Sequence, residues 1–183
     1  MTTSQEQRRI RIKNDYKKML NIKGEIVDWQ PLEGKQPFIE AYELTLNIRT
    51  IIGPKPKYRN VHIVRVTLPP NYPDTNPLVV MQSSPQPFHP NWYKDQRYCP
   101  GLWDFTEGLG DHIIRMLRTL QFDPEITNPY SAANPEANAW YLANLNHNRN
   151  WFPCDTQTLP DPMGKKAFEI QAPKDVKKTF RVG

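Results

Sequence analysis

Two alternating stretches, followed by connectors too short to house a helix, limit the first half of this chain to a meander of antiparallel strands. Tyr42, Leu44, Leu46 and Ile48 alternate with Glu43, Thr45, Asn47 and Arg49, the period of two that a strand shows when one face is buried. Residues 61–68 alternate similarly, Leu78–Met81 is a third short apolar run, and residues 24–29 are a weaker candidate ahead of them. The connectors are marked by Pro54, Pro56, Pro69, Pro70, Pro73 and Pro77. Parallel neighbours would need crossovers of roughly a dozen residues or more, so consecutive antiparallel pairing is the economical topology.

Helical spacing flanks this region. Thr3-x-x-Glu6 and Ser4-x-x-Gln7 are capping-box spacings, and Ile12, Tyr16, Met19 and Leu20 fall on one face of a helix predicted over residues 5–21. Its other faces carry Arg8, Arg9, Arg11, Lys13, Lys17 and Lys18, either a solvated surface or a docking one. Residues 85–105 show no sustained period and read as a long structured loop, a kind of segment that commonly carries function. Ile113, Leu117 and Leu120, widened by Ile114 and Met116, predict a second helix with Asp111 as its cap. Asn134-Pro135-Glu136 opens a third, running through Trp140, Tyr141 and Leu145. Residues 1–150 are thus expected to form one core, and residues 151–183 a basic, proline-containing extension with a short packed piece near residues 168–170.

Composition narrows the classes. The 183 residues suit a single domain, and no apolar run approaches the ~18–20 residues of a membrane-spanning helix. The N-terminal stretch is polar rather than leader-like, so a cytoplasmic setting is expected. Two cysteines, Cys99 and Cys154, are too few for a disulfide framework or a paired zinc half-site, and the four histidines lack metal-ligand spacing. No metal or cofactor is therefore expected. The net charge of +5 suits a nucleic acid or an acidic protein surface equally.

The loop holds the chemically suggestive residues. A lone cysteine is usually a small buried hydrophobe, but Cys99 lies eight positions after Asn91 in His89-Pro90-Asn91. A proline-rich turn, residues 68–77, sits between the second and third of the alternating runs, and Asn128-Pro129 and residues 133–137 follow the second helix. In this combination and order, residues 5–150 resemble the ubiquitin-conjugating enzymes, which carry ubiquitin or a ubiquitin-like protein as a thioester.

The resemblance implies an α+β fold: an N-terminal helix, a four-stranded antiparallel meander sheet, an active-site loop and C-terminal helices. It makes Cys99 the catalytic acceptor of the modifier's C-terminus, which an activating enzyme supplies and a target amine, commonly a lysine, later removes. A thiolate is a strong nucleophile and a thioester a good acyl donor to nitrogen. Both transfers pass through an oxyanion, which the Asn91 side chain would stabilise, unless its task is to hold the loop. His89 and Pro90 would support the loop by packing and hydrogen bonding rather than as a base. Asn128 marks a gate loop in which Ser131 would orient the incoming amine. Arg8, Arg9, Arg11, Lys13, Lys17 and Lys18 would dock the activating enzyme, whose own ATP would drive the cycle, so that the chain itself needs no cofactor. Partners would be the modifier, the activating enzyme and a ligase or target protein, with neither nucleic acid nor membrane.

Some positions depart from the family pattern. Pro100-Gly101 follow the cysteine where an aliphatic and often an acidic residue are usual, Asp74 replaces an aromatic after Tyr72-Pro73, and Phe88 replaces a frequent tyrosine. These suggest a divergent branch, similar to carriers of bacterial ubiquitin-like conjugation operons. Trp92, Tyr98 and Trp103 are expected to pack around the loop or lid it. Three other readings compete: a non-catalytic variant of the same fold that binds ubiquitin-like proteins, a cysteine hydrolase pairing Cys99 with a histidine, and a basic nucleic-acid-binding module.

Overall fold

The computed structural model describes residues 4–164, an α+β arrangement in which α1 (Ser4–Ile22) precedes a four-stranded antiparallel sheet and further helices follow. The strands β1 (Val27–Lys35), β2 (Phe38–Gly53), β3 (Lys57–Thr67) and β4 (Leu78–Met81) lie in chain order, so the meander expected from the short connectors is present. After a long loop come α2 (Leu109–Leu120), α3 (Pro135–Leu145) and a short 3-10 turn at Arg149–Trp151. The segments expected at residues 168–170 and the basic end lie outside the described residues.

The strands extend beyond the alternating runs. In β1 the pattern fails because Pro31 and Leu32 fall at a bulge and most of the strand is exposed along the sheet edge. Gly34 in this bulge has φ +88°, and a Cβ there would lie 2.2 Å from the Phe38 carbonyl, so only glycine fits. One face of β2 and β3, with Leu44, Leu46, Ile48, Val64 and Val66, is buried against α1 and α2.

On α1 the buried stripe is Ile12, Tyr16, Met19 and Ile22. Leu20, expected on this stripe, is 47% exposed, because each residue turns a helix by roughly 100° and the chain presents Met19 and Ile22 inward instead. Ser4 is already helical, and Thr3 lies outside the described residues. α3 begins as its sequence predicts: Asn134 Oδ1 accepts from the Ala137 N–H at 3.2 Å, with Pro135 at the first position.

The start of α2 corrects the expectation for Asp111. The cap position is Gly108, with no side-chain hydrogen bond, while Asp111 sits in the first turn and pairs with Lys18. The orphan Leu109 N–H is taken up from a different helix: buried Asp15 on α1 accepts it on Oδ1 at 2.8 Å. Asp15 Oδ2 accepts from Arg11 Nε at 2.8 Å and from the Tyr72 hydroxyl at 2.6 Å. Burial and the Asp15 charge push the Tyr72 phenol far above its ordinary range, so it stays protonated and donates.

Residues 152–164 are not a loose extension. Arg49 binds Asp155 and the Cys154 carbonyl, Cys154 N–H donates to Gln121 O at 2.8 Å, and Asn21 holds the Pro162 carbonyl. Leu159 packs on the main core, while Phe152 and Cys154 join a second cluster with Ile51, Phe122 and Tyr141.

Removal of one partner from a buried ionic network costs about 3–5 kcal/mol. Asp15→Ala should therefore lower unfolding free energy by about 3 kcal/mol in urea with an unchanged m-value, whereas Asp155→Ala, on an exposed contact, should cost under about 1 kcal/mol.

Candidate active site

The turn His89-Pro90-Asn91 is fixed by its own polar atoms. His89 is fully buried, its Nδ1 accepts the Asn91 N–H at 2.9 Å, and its ring lies 4.1 Å from that of Phe122. Burial holds its imidazole down to about 3, so it is neutral, with Nδ1 as an acceptor. That bond leaves His89 no free acceptor to take a proton from Cys99. The Pro90 carbonyl accepts from Asn134 N at 3.0 Å, joining the turn to the cap of α3.

Asn91 then reaches two segments at once. Its carbonyl accepts the Cys99 N–H at 2.8 Å, and its Oδ1 accepts the Asn128 N–H at 3.3 Å. This bond fixes the orientation of the side-chain amide; among the described residues its Nδ2 donates no hydrogen bond.

The eight-residue spacing from Asn91 to Cys99 has a local cause. Residues 92–98 fold back on themselves: Trp92 pairs with Tyr98, Tyr93 N donates to Arg97 O at 2.9 Å, and Trp92 Nε1 donates to Gln96 O at 2.9 Å. This miniature hairpin is tied to β4 through Val80 and Arg97. It brings the thiol residue back beside the asparagine that begins it. Trp92 and Tyr98 are buried, and Trp103 is half-buried with its Nε1 donating to Pro73 O at 2.7 Å, so these aromatics pack the loop.

Tyr93 is a site residue that no motif marked. It lines the same cleft as Cys99, and interaction with the Cys99 side chain raises its phenol above the usual value. The Arg97 guanidinium lies 5.1 Å from its ring. The pairing of two aromatics six residues apart was the signal available, since it sets Tyr93 opposite Arg97 with Cys99 just beyond.

Cys99 is partly exposed and borders a cleft of about 360 Å3 shared with Asn76, Leu78, Tyr93 and Arg97. A second cleft, about 310 Å3, opens between Asn91, Pro100, Leu102, Arg115 and Asn128. Cys154 differs in every respect: it is 4% exposed, its Sγ faces the Arg49 and Leu120 carbonyls, and burial pushes its thiol up to about 12. Ser131 is exposed in the loop that Asn128 ties to Asn91, and Tyr130 beside it is 98% exposed.

The six basic residues of α1 do not form one surface. Arg8 pairs with Glu40 at 2.7 Å, Arg11 with Asp15 and the Phe105 and Glu107 carbonyls, and Lys18 with Asp111. Arg9 covers the Phe38 ring at 4.2 Å. Lys13 and Lys17 remain exposed and share their face with the exposed Ile10 and Leu20.

Among the described residues no helix is long and apolar enough to cross a membrane, and no group of three or more His, Cys, Asp or Glu side chains converges to hold a metal. No protein-family model matches the chain, and no curated protein matches it.

The two thiols should react at very different rates. An aromatic disulfide reagent should label one equivalent quickly in the native protein, at Cys99, and a second only on unfolding; rapid native labelling of Cys154 would contradict its burial. His89 also sets a pH dependence. An unfolded imidazole titrates near about 6.5, whereas folded His89 is held near about 3, so the unfolded state binds the extra proton. Stability is complete above about 6.5 and falls as the pH drops below it. The decline in melting temperature from pH 7 to 5 should be shallower in His89→Gln; an unchanged slope would show that His89 takes no part.

Proposed function

We propose that this chain is a ubiquitin-conjugating enzyme: an acyltransferase that takes ubiquitin or a ubiquitin-like protein from an activating enzyme onto Cys99 and passes it to an amine, in the main a target lysine. The observation that carries the reading is the convergence on Asn91, whose carbonyl holds the Cys99 N–H while its Oδ1 holds the Asn128 N–H. The partly exposed thiol on one cleft, with a second cleft opening at Asn91 and Pro100, is consistent with a polypeptide in one and an acceptor in the other.

In the first transfer the Cys99 thiolate attacks the modifier's C-terminal carbonyl, and the activating enzyme's thiolate leaves. In the second an amine attacks the Cys99 thioester, loses a proton, and expels the Cys99 thiolate. Asn91 can serve both roles that the resemblance offers, because they fall on different atoms: Oδ1 anchors the gate loop and Nδ2 is free to donate to the oxyanion. Only about one lysine in a thousand is neutral near pH 7.4, so the amine must be oriented and stripped of water. Tyr93 and Ser131 supply hydroxyls for this, and neither carries the negative charge that an acidic gate would.

For the activating enzyme, the exposed stripe of Ile10, Lys13, Lys17 and Leu20 is the part of α1 open to contact, an apolar pair flanked by charge. Arg9 lies at its margin, while Arg8, Arg11 and Lys18 serve the fold and contribute long-range field. The reaction needs no cofactor or metal on this chain, ATP being consumed by the activating enzyme, and the setting is cytoplasmic, without nucleic acid or membrane.

Non-reducing gels of wild type, Cys99→Ser and Cys154→Ser, mixed with activating enzyme, modifier and ATP, test this. An ATP-dependent, reductant-sensitive adduct is expected in wild type and Cys154→Ser; Cys99→Ser should give none, or an ester that resists reductant. Asn91→Ala should slow discharge about 10²–10³-fold, as loss of an oxyanion donor does. No adduct with an activating enzyme that itself becomes charged would favour a non-catalytic binding variant.

A further inference from the structure

The peptide that follows Cys99 is held by a side chain from α2. Arg115 Nη1 donates to the Pro100 carbonyl, while its Nε and Nη2 engage both carboxylate oxygens of Glu107, Nε at 2.8 Å. The guanidinium is planar and its donors form a rigid fork, so pairing two of its nitrogens with a carboxylate fixes where the third points. Glu107 is suited to this: its side chain is only 15% exposed, and although burial alone would raise its carboxyl, His112 and Arg115 keep it below the usual range and hence charged. Its backbone carbonyl is held in turn by Arg11.

Cys99 is consequently restrained on both sides. Upstream, its N–H is given to Asn91 O. Downstream, a proline confines Cys99 to extended backbone and offers no N–H, so beyond the carbonyl of Cys99 itself the Pro100 carbonyl is the next polar group by which the chain can be gripped. Beyond it Gly101 turns at φ +78° with open space around its Cα, leading to Leu102, which is 97% exposed. Without the Arg115 contact the next downstream anchor would be Trp103, four residues on, whose Nε1 donates to Pro73 O.

We propose that Arg115 is a positioning residue for Cys99: oriented by Glu107, it holds the Pro100 carbonyl and so fixes the backbone from which the thiol projects. Its role in transfer rests on the carrier function proposed above, but the restraint on the free protein does not. When an amine bonds to the thioester carbon, surrenders its proton to solvent and breaks the carbon–sulfur bond, Arg115 touches none of the reacting atoms. It keeps sulfur in line with Asn91.

Arg115→Ala and Arg115→Lys test the proposal in the full chain, the second keeping a positive charge for Glu107 while losing the fork. On the protein alone, amide hydrogen exchange at Cys99 should quicken about tenfold or more in both, with that of Cys154 unchanged, since one charge-assisted hydrogen bond is lost nearby. Discharge of preformed thioester to free lysine in a single turnover should slow by about ten- to a hundredfold at saturating lysine, with the lysine concentration for half-maximal rate unchanged. Wild-type exchange at Cys99 in the folded variants overturns the restraint, and faster exchange with wild-type discharge overturns the role in transfer. If wild type takes no thioester from a charged activating enzyme, the carrier function fails and the transfer role with it, while exchange alone decides the restraint.

Discussion

Asp15 lies where α1, the first turn of α2 and the Tyr72-Pro73 turn meet, and its two oxygens accept from Leu109 N, Tyr72 Oη and Arg11 Nε. A carboxylate this deeply buried is expensive unless every lone pair facing the interior has a donor, and here it has three. Its energetic value is less a gain in stability than a condition on geometry. α2 lacks a side-chain cap of its own, so its first N–H is satisfied only when α1 sits in register with it. Arg11, held in place by the same carboxylate, reaches the Phe105 and Glu107 carbonyls, and Glu107 orients Arg115. The frame of the protein and the loop around Cys99 are thereby joined through continuous polar contacts.

Around the thiol the work is done mainly by backbone groups. The neutral imidazole of His89 serves as an acceptor for one N–H, the Asn91 carbonyl accepts another, and the Pro90 carbonyl meets the cap of α3. Such a turn depends on residue types for narrow reasons: histidine for a buried acceptor that can stay unprotonated, proline for a fixed φ without a donor, asparagine for a side chain that both accepts and donates. The Cys99 thiol stays partly exposed because the bonds that hold this segment are made by its neighbours and by its own N–H.

Much of this is legible in the residues. The period of two located β2 and β3, short connectors gave their antiparallel order, and Asn134-Pro135 marked the start of α3, because these are local rules with little competition. β1 was faint because an exposed edge strand with a bulge has no buried face to impose alternation. Asp111 looked like the cap of α2 because a cap is ordinarily sought nearby in sequence, whereas the acceptor comes from a residue 94 positions earlier. The basic residues of α1 read as one surface since charge alone does not reveal that Arg8, Arg11 and Lys18 are engaged within the fold. At the site, spacing pointed to Cys99 and Asn91, but the place of Tyr93 on the cleft and the hold of Arg115 on the Pro100 carbonyl carry no motif.

In the proposed function the turn at Asn91 presents Cys99 as an acyl acceptor. The most direct measurement of this is the intact mass of the protein after incubation with a charged activating enzyme and its modifier, followed by peptide mapping without reductant. The expected result is a gain equal to the modifier less one water, removed by hydroxylamine and located on the peptide containing Cys99. An unchanged mass beside a fully charged activating enzyme, or an adduct located on Cys154, would contradict it.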